Sequence, residues 1–282
     1  MPGPERYESI DYLAVGHITV DVNANEKQIG GSVAYAALTA QALGMKAGIV
    51  TTWAEELPLG PLQDIPIFNL GADQSTSFEN IYTDSGRQQR LHSQAPFLEF
   101  HHIPEGWRKP RILHVAPVAR EVSPRILKYF GDSTIGLTPQ GWLREWDDQG
   151  NVRVADWEES DHILGRADAT IIGREDVNGD QARIERMAYA CPVLVVTDGA
   201  KGATLYTQGE EHKIEAPTVN QVDPTGAGDI FAAAFFVRLH LTGDALDAAR
   251  FATQLAAHSV QRPGLDGVPT QDEIYDLMAE AL

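Results

Sequence analysis

Short apolar runs of four to six residues recur along the chain and alternate with longer stretches of helical spacing. Uninterrupted runs of this length are typical of strands that are buried on both faces of a sheet. They predict strands at Tyr12–Val15, Ala47–Thr51, Ile65–Leu70, Ile112–Val115, Thr134–Leu137, Ala169–Ile172 and Val193–Thr197. The intervening stretches predict helices that include Ser32–Leu43, Pro124–Phe130 and Gln181–Ala190. The alternation predicts an α/β fold with a doubly wound, mostly parallel sheet, in which ligands bind beyond the carboxyl ends of the strands.

Two polar stretches interrupt this alternation. Thr19–Ile29 is polar, and Thr76–Gln94 alternates polar and apolar residues around an Asp-Ser-Gly hairpin signal at 84–86. We expect the segments near 19–31 and 76–94 to form a small antiparallel flap over the ligand site. The alternative is a pair of exposed hairpins without function. Because the chain has no linker, repeat or low-complexity tract, its 282 residues are expected to form one domain that carries this flap.

The charge balance restricts the possible ligands. The chain has 40 acidic and 22 basic side chains, which gives a formal net charge of −18. Such an acidic protein is a poor match for nucleic acids or anionic membranes. It still has the means to hold a phosphate group locally, through backbone N–H groups, metal ions and a few cationic side chains.

Cysteine and histidine provide little chemistry in this sequence. Cys191 is the single cysteine, so the chain has no intramolecular disulfide, and its apolar surroundings predict burial. None of the nine histidines has the spacing of a zinc site, and we interpret them as surface residues. The first residues are polar and no apolar run has the length of a membrane span, so we expect a cytoplasmic protein.

The most informative segment is Asp223–Asp229, which is followed at once by the apolar run Ile230–Phe236. Small residues here open a predicted helix, and the unpaired N–H groups at a helix start bind anions. Glycines allow the backbone to approach a ligand closely. Asp229 lies in the first helical turn, where a substrate hydroxyl would meet a bound phosphate. The segment therefore indicates phosphoryl transfer, and the alternative is a Gly-rich turn that starts a buried helix.

Together with two further motifs, this segment resembles the ribokinase or PfkB group of carbohydrate kinases. The motifs are Gly16–Asp21 and the Gly30-Gly31 pair that opens an Ala-rich helix, and Val195–Gly202 and Ala256–Gly264 support them. They occur in the order of the family from near residue 12 to near residue 270. The resemblance implies a ribokinase-like three-layer fold with a β lid. It also implies an ATP-dependent kinase that transfers the γ-phosphate to a hydroxyl of a sugar, polyol or nucleoside.

The resemblance assigns catalytic and substrate-binding residues. Asp229 matches the catalytic base, and the N–H groups of Gly226, Ala227 and Gly228 match the anion hole. The matching substrate-side positions are Asp21, Gly30, Gly31, Tyr35, Gln140 and Arg144. Tyr35 stands where relatives often have a substrate-binding Asn, which indicates a pocket that differs from the usual ribose pocket.

The resemblance also assigns cofactor positions. The matching ATP positions are Thr197, Gly199, Gly202, Thr225, Thr253 and Gly264. Relatives often organise Mg²⁺ through an Asn-x-x-Glu motif, and this chain has Gly173-Arg174-Glu175-Asp176 there, so Glu175 and Asp176 are the candidate Mg²⁺ residues. Asp223 and Thr225 match a site for a monovalent cation such as K⁺, which carbonyl groups of Ser259, Arg262 and Gly264 would complete.

The segment Leu137–Arg144 is similar to relatives that act on inositol or related polyols. The alternative is that Trp142 and Leu143 pack in the core while Gln140 caps a helix. An inositol-like polyol is therefore the favoured acceptor. Two other possibilities stay open, a nucleoside kinase of the same family and a catalytically silent sugar- or nucleotide-binding regulator. The expected partners are the small-molecule substrate and ATP, and the chain is expected to be a monomer or a homodimer.

Overall fold

The computed structural model of the protein describes residues 8–23, 26–83 and 86–280. Within these ranges the strands are β1 (Tyr12–Val15), β2 (Thr19–Asn23), β3 (Glu26–Gly30), β4 (Ala47–Thr51), β5 (Ile67–Asn69), β6 (Thr76–Thr83), β7 (Gly86–Ser93), β8 (Ile112–Val115), β9 (Thr134–Leu137), β10 (Arg144–Trp146), β11 (Val152–Val154), β12 (Ala169–Gly173), β13 (Val193–Thr197), β14 (Ala203–Thr207) and β15 (Glu210–Ile214). The helices are α1 (Ser32–Ala42), α2 (Ser160–Leu164), α3 (Gln181–Ala190), α4 (Ala227–Thr242), α5 (Ala245–Ser259) and α6 (Gln271–Glu280).

The central sheet has the strand order β15-β14-β13-β12-β9-β8-β1-β4-β5. Neighbouring strands from β13 to β5 run parallel, and β14 and β15 add an antiparallel edge. The predicted doubly wound, mostly parallel sheet is confirmed. The predicted strand at Ile65–Leu70 is shorter, at Ile67–Asn69, because the preceding 3₁₀ turn at Gly60–Asp64 ends at Ile65 and only β4 pairs with this edge strand.

The two faces of the sheet pack against different layers. Tyr12 and Ala14 of β1 face the layer that contains α1, α4 and α5, whereas Leu13 and Val15 face α3 and several 3₁₀ turns. Burial on both faces explains why the strands are continuous apolar runs. The segment predicted as a helix at Pro124–Phe130 is a 3₁₀ helix at Pro124–Tyr129, too short for a stable α-helix, yet it still buries Ile126 and Leu127.

The expected flap is present as a four-stranded sheet with the order β3-β2-β6-β7, and we call it the lid. Its outer pairs, β2–β3 and β6–β7, are antiparallel as expected. Its central pair, β2–β6, runs parallel because β2 follows β1 and β6 follows β5, and both preceding strands have the same direction in the main sheet. Asp84 and Ser85 of the predicted hairpin signal, and residues 1–7 of the polar start, lie outside the described residues.

The direction of winding changes between β1 and β8. From β1 the chain adds β4 and β5 on one side, and it then returns to add β8 on the other side. Loops that follow the two strands diverge at such a point and leave a crevice. The buried carboxylate of Glu121 ties these loops together, since it accepts hydrogen bonds from the amides of His17, Val118 and Ala119 at 3.1, 3.0 and 2.7 Å.

Two of the histidines interpreted as surface residues are fully buried, so that interpretation was wrong for His17 and His114. The His17 ring contacts the Thr76 hydroxyl at 2.6 Å and the Pro96 carbonyl at 2.9 Å. His114 lies inside β8, where the apolar neighbours determine its burial. The predicted burial of Cys191 is confirmed. None of the helices in the described part of the chain combines the length and apolar character needed to cross a membrane.

Candidate active site

A cavity of about 760 Å³ lies at the carboxyl ends of the central strands, between the lid and the start of α4. The predicted residues that line it are Asp21, Gly31, Tyr35, Gln140, Arg144, Glu175, Asp176, Thr197, Gly199, Gly202, Thr225, Gly226, Ala227, Gly228, Asp229 and Thr253. Gly30, Asp223 and Gly264 are predicted site residues that do not line it. The fold thus brings most of the predicted residues, from segments far apart in sequence, to one cavity.

The start of α4 forms one wall of this cavity. Gly226 precedes the helix with a φ of 79°, a left-handed conformation that glycine adopts without strain. A Cβ atom at this position would also overlap with the Tyr35 ring. The Ala227 amide donates to the Pro224 carbonyl at 3.2 Å. Of the three amides predicted to form the anion hole, those of Gly226 and Gly228 are the ones with no acceptor among the described residues.

Asp229 lies in the first turn of α4 and lines the cavity. Burial is the main reason why its pKa rises from the ordinary 3.8 to about 6, and the nearby carboxylates of Asp176 and Asp21 raise it further. A hydrogen bond from Ser32 and the positive charge of Arg144 act in the opposite direction. Asp229 is therefore a stronger base than an ordinary aspartate and is still ionised at neutral pH.

Asp21 enters the cavity from β2 of the lid. A Cβ atom at Gly30 would overlap with the Asp21 carboxylate, so this glycine, which pairs with Thr19 across the hairpin, leaves room for the side chain. Gly31 has a φ of 94°, and a Cβ atom there would overlap with the His17 carbonyl. The two glycines thus have different consequences: Gly31 shapes the backbone that lines the cavity, and Gly30 places Asp21.

Tyr35 is buried in α1, and its ring covers Gly226 from the lid side of the cavity. Burial and the negative charges of Asp21, Asp229 and Asp223 raise the pKa of its phenol well above the ordinary value. The hydroxyl therefore stays protonated and acts as a hydrogen-bond donor as well as an acceptor. The aromatic ring makes this wall flatter and less polar than an amide side chain would.

The segment predicted to hold Mg²⁺ has a structural and an exposed carboxylate. Asp176 is buried, and it accepts hydrogen bonds from the Gly173 amide at 2.8 Å and from the Gln140 side chain at 3.0 Å. Glu175 is exposed on the cavity wall. A single exposed carboxylate fits a magnesium ion that takes its other ligands from phosphates and water. Within the described residues no group of three His, Cys, Asp or Glu side chains forms a ready-made metal site.

Arg174 lies in the same segment, directly after Gly173. Its Nε lies 3.1 Å from the Asp198 carboxylate, which also lies 3.3 Å from the Lys201 ammonium group. Both Arg174 and Asp198 line the cavity. Arg174 and Arg144 are therefore two cationic side chains on a wall that is otherwise rich in carboxylates.

Two glycines form the cavity wall that follows β13, and residues of α5 form the wall that faces it. Gly199 and Gly202 follow β13 in left-handed conformations, with φ of 52° and 87°. A Cβ atom at Gly202 would overlap with the Ile214 carbonyl of β15. Thr253 lines the opposite wall, but its hydroxyl donates to the Ala249 carbonyl at 2.7 Å within α5. Ala256, Ala257 and Val260 line the cavity together with Thr253.

Asp223 connects the start of α4 to the segment that follows α5. Its carboxylate accepts hydrogen bonds from the amides of Thr225 and Gly264, both at 2.9 Å. The Asp223 amide donates to the Val260 carbonyl at 3.0 Å. Of the predicted cation-site residues, Asp223, Thr225 and Gly264 are thus in contact at the edge of the cavity, and Thr225 also lines it.

Several cavity residues were not assigned from the sequence. Ser32 hydrogen-bonds to Asp229, and Thr138, Phe78 and Gln89 line the cavity. Thr138 directly follows β9 and Ser32 directly follows the Gly30-Gly31 pair. Polar residues at such positions are candidate ligand-binding residues, so the sequence could have indicated both. Phe78 and Gln89 reach the cavity only because the lid strands fold over it, which their local sequence does not indicate.

Comparisons with known sequences agree with this geometry. Residues 158–271 match the model of the pfkB family of carbohydrate kinases. Probable fructokinase-5 of Arabidopsis thaliana is 33% identical over 131 residues, which are 43% of this chain and 40% of that protein. Inositol 3-kinase of the same plant is 34% identical over 130 residues, which are 43% and 35% of the two chains. These matches therefore span less than half the length of either plant relative.

A third relative is matched over most of its length. Cytidine kinase of Thermococcus kodakarensis is 24% identical over 253 residues, which are 80% of this chain and 87% of that protein. Among solved structures, a pyrophosphate-dependent kinase of the ribokinase family in complex with a pyrophosphate analogue and myo-inositol has a TM-score of 0.79 at 20% identity, over 94% of this chain and 99% of that one. Fructokinase of Xylella fastidiosa with bound ATP has a TM-score of 0.74 at 16% identity, over 96% and 99%. These similarities establish the ribokinase-like fold.

Proposed function

From the match of residues 158–271 to the pfkB family of carbohydrate kinases, we propose an ATP-dependent kinase that phosphorylates a hydroxyl of a small sugar or polyol. The observation that carries the proposal is the position of Asp229. It directly follows Gly228 and comes three residues after Gly226, and the cavity that it lines is also lined by Asp21 and Phe78 of the lid. A hydroxyl on the lid side and a phosphate at the helix start would both be adjacent to this carboxylate.

In the proposed reaction, the acceptor hydroxyl hydrogen-bonds to Asp229 while its oxygen attacks the γ-phosphorus of ATP. The new O–P bond forms as the bond to the β,γ-bridging oxygen breaks, and the hydroxyl proton passes to Asp229. A base with a pKa of about 6 is ionised at neutral pH and accepts this proton more readily than an ordinary aspartate. ADP leaves, and the phosphate ester remains on the acceptor.

The chain stabilises charge on the transferring group through the start of α4. The amides of Gly226 and Gly228 have no acceptor among the described residues, and the positive end of the helix dipole favours the extra negative charge of the transition state. Mg²⁺, when bound, neutralises negative charge on the donor phosphates, and Glu175 is the residue that would hold it. Arg174 supplies a second, fixed cation on this wall.

For the acceptor, we favour a cyclic polyol of the inositol type. Asp21, Gln140 and Arg144 present carboxylate, amide and guanidinium groups on the lid side, which suits a ring with several hydroxyl groups. The resemblance of the 137–144 segment, the inositol 3-kinase relative and the structural neighbour solved with myo-inositol support this choice.

A nucleoside is the second candidate acceptor. The apolar rings of Tyr35 and Phe78 line the lid side and offer faces on which a base can stack. The relative that is matched over the greatest part of its length among those described above is a cytidine kinase.

We also propose that a monovalent cation acts beside the start of α4. Asp223 is held by Thr225 and Gly264, so a cation near its carboxylate would add positive charge behind the anion hole. Fructokinase of Vibrio cholerae, a structural neighbour, was solved with fructose, ADP and a potassium ion.

The test is ADP release from MgATP with a panel of polyols, sugars and nucleosides, each with Na⁺ or K⁺ as the monovalent cation. We expect turnover with at least one acceptor, faster in K⁺, and its loss in Asp229→Asn. The matched control is Asp132→Asn, which changes an exposed aspartate in a turn before β9. Absence of turnover across the panel, with retained binding of sugar or nucleotide in calorimetry, would favour a silent regulator. Turnover by Asp229→Asn at the wild-type rate would contradict the role of Asp229.

A further inference from the structure

A buried chain of hydrogen bonds leads from the core of the protein to the cavity. The Tyr12 hydroxyl lies 2.7 Å from Nδ1 of His114, and Nε2 of His114 lies 2.9 Å from the Thr138 hydroxyl. Tyr12 and His114 are fully buried, whereas Thr138 lines the cavity. The reaction described above uses none of these three side chains.

This chain of hydrogen bonds has two possible directions. In the first, Tyr12 donates to Nδ1, Nε2–H donates to the Thr138 oxygen, and the Thr138 proton is directed to the cavity. In the second, Thr138 donates to Nε2, Nδ1–H donates to the Tyr12 oxygen, and the Tyr12 proton needs another acceptor. Neutral imidazole has one donor and one acceptor nitrogen, so the two directions exclude each other.

Burial decides between the two directions. Among the described residues, Tyr12 has no second hydrogen-bond acceptor near its hydroxyl, and water has no access to it. The second direction would therefore leave a buried donor unsatisfied, which is costly. In the first direction the free proton belongs to Thr138, where the cavity supplies water or a ligand. A doubly protonated ring is excluded because burial lowers the pKa of His114 to about 3.

We propose that the Thr138 hydroxyl donates a hydrogen bond to the substrate that receives the phosphate and so orients it. Tyr12 and His114 set the direction in which this hydroxyl donates. Asp21, from the lid, and Asp229, from the start of α4, line the same cavity and are carboxylates that only accept hydrogen bonds when ionised. Thr138 complements these carboxylates, because it donates a hydrogen bond to an oxygen of the substrate while they accept hydrogen bonds from substrate hydroxyl groups. This assignment rests on the proposed kinase function, since it names a residue that orients the acceptor of that reaction.

The packing of His114 connects the Thr138 hydroxyl to the helix that carries the Asp229 carboxylate. Its ring makes an edge contact with Phe236, with centroids 5.0 Å apart and an interplanar angle of 69°. Phe236 lies on α4, about two turns after Asp229 and on a similar face of the helix. Thr138 is thus linked through His114 to the helix that carries Asp229.

Two measurements test the proposal. The first is ¹⁵N NMR of histidine-labelled protein, in which the wild-type His114 is expected to show a protonated Nε2 and an unprotonated Nδ1. A protonated Nδ1 would overturn the proposal, and this outcome is independent of any kinase activity. In Tyr12→Phe we expect the tautomer preference to weaken, because Nδ1 loses its donor.

The second measurement is steady-state kinetics with the acceptor found in the panel. We expect Thr138→Val and Tyr12→Phe each to raise the KM for the acceptor about tenfold while the KM for ATP stays unchanged. Thr138→Ser, which keeps the hydroxyl, should behave like the wild type. The matched control is Thr39→Val, which removes a buried hydroxyl that has no partner among the described residues. An acceptor KM in Thr138→Val equal to that of the control, or an equal rise in both KM values, would overturn the proposal.

Discussion

Replacement of Asp229 by Asn is expected to make the protein more stable while it removes activity. The folded protein raises the pKa of this carboxyl from the ordinary 3.8 to about 6, chiefly through burial. Folding therefore favours the protonated form and disfavours the ionised form that the proposed reaction needs. An Asn side chain has a similar shape, has no charge to desolvate, and keeps an oxygen that accepts from Ser32.

The size of the effect follows from proton linkage. A shift of about two pKa units corresponds to about 3 kcal/mol between the two protonation states. Because the pKa is raised, the favourable contribution of the carboxyl is complete below pH 3.8 and is lost as the pH rises through about 6. Relative to the wild type, Asp229→Asn should thus gain about 3 kcal/mol at pH 8, about 1.5 kcal/mol at pH 5 and almost nothing below pH 4.

The assay is urea unfolding without ligands at pH 5 and pH 8, followed by tryptophan fluorescence. A gain of 3 kcal/mol in a chain of 282 residues corresponds to a rise in Tm of about 5 °C at pH 8. Asp132→Asn serves as the control, because this exposed aspartate should leave the unfolding free energy unchanged at both pH values. A variant no more stable than the wild type at pH 8 would refute the reasoning. An equal gain at both pH values would also refute it, since that would indicate packing rather than ionisation.

Three further predictions follow from the same contacts. The kcat/KM of the wild-type kinase should fall tenfold per pH unit below about pH 6, as Asp229 becomes protonated, and a profile that stays flat to pH 5 would exclude it as the titrating base. Gly226→Ala should destabilise the fold by about 2 kcal/mol or more and abolish turnover, because the added Cβ atom meets the Tyr35 ring and a φ of 79° is strained for alanine. Thermal unfolding and activity at saturating ATP would check this. Glu121→Ala should cost about 3 kcal/mol or more in urea unfolding because three amides lose their acceptor, whereas Glu121→Gln, which keeps one amide oxygen, should cost less; equal losses would contradict this account.

Part of the site was predictable because its residues are marked by local chemistry. Helix starts, glycine pairs and carboxylates after strands are recognisable without a partner, which is why Asp229, Gly31 and Asp21 could be singled out, and the structure places all three in the lining of the cavity. Gly30 was also singled out, but its role as a space for the Asp21 carboxylate depends on the pairing of β2 with β3. The pairing of Gln140 with Asp176 likewise joins segments that are 36 residues apart.

Burial of polar side chains was the least predictable property. His114 stands in a predicted buried strand, yet nothing in that strand indicates that Tyr12 and Thr138 lie on either side of its ring. A polar group is satisfied by whichever donors and acceptors the neighbouring strands bring to it. Those neighbours depend on strand order, and β8 lies between β1 and β9 only in the folded sheet.

Local sequence was sufficient for the layered α/β fold, the lid segments and the helix start that suits a phosphate, because each depends on apolar runs, turns and glycines within a few residues of one another. Only the folded chain sets which amides of that helix start lack an acceptor among the described residues, how far the pKa of Asp229 rises and which polar groups flank the His114 ring. These properties depend on burial and on charges carried by distant segments, and only the closed sheet brings them within contact distance.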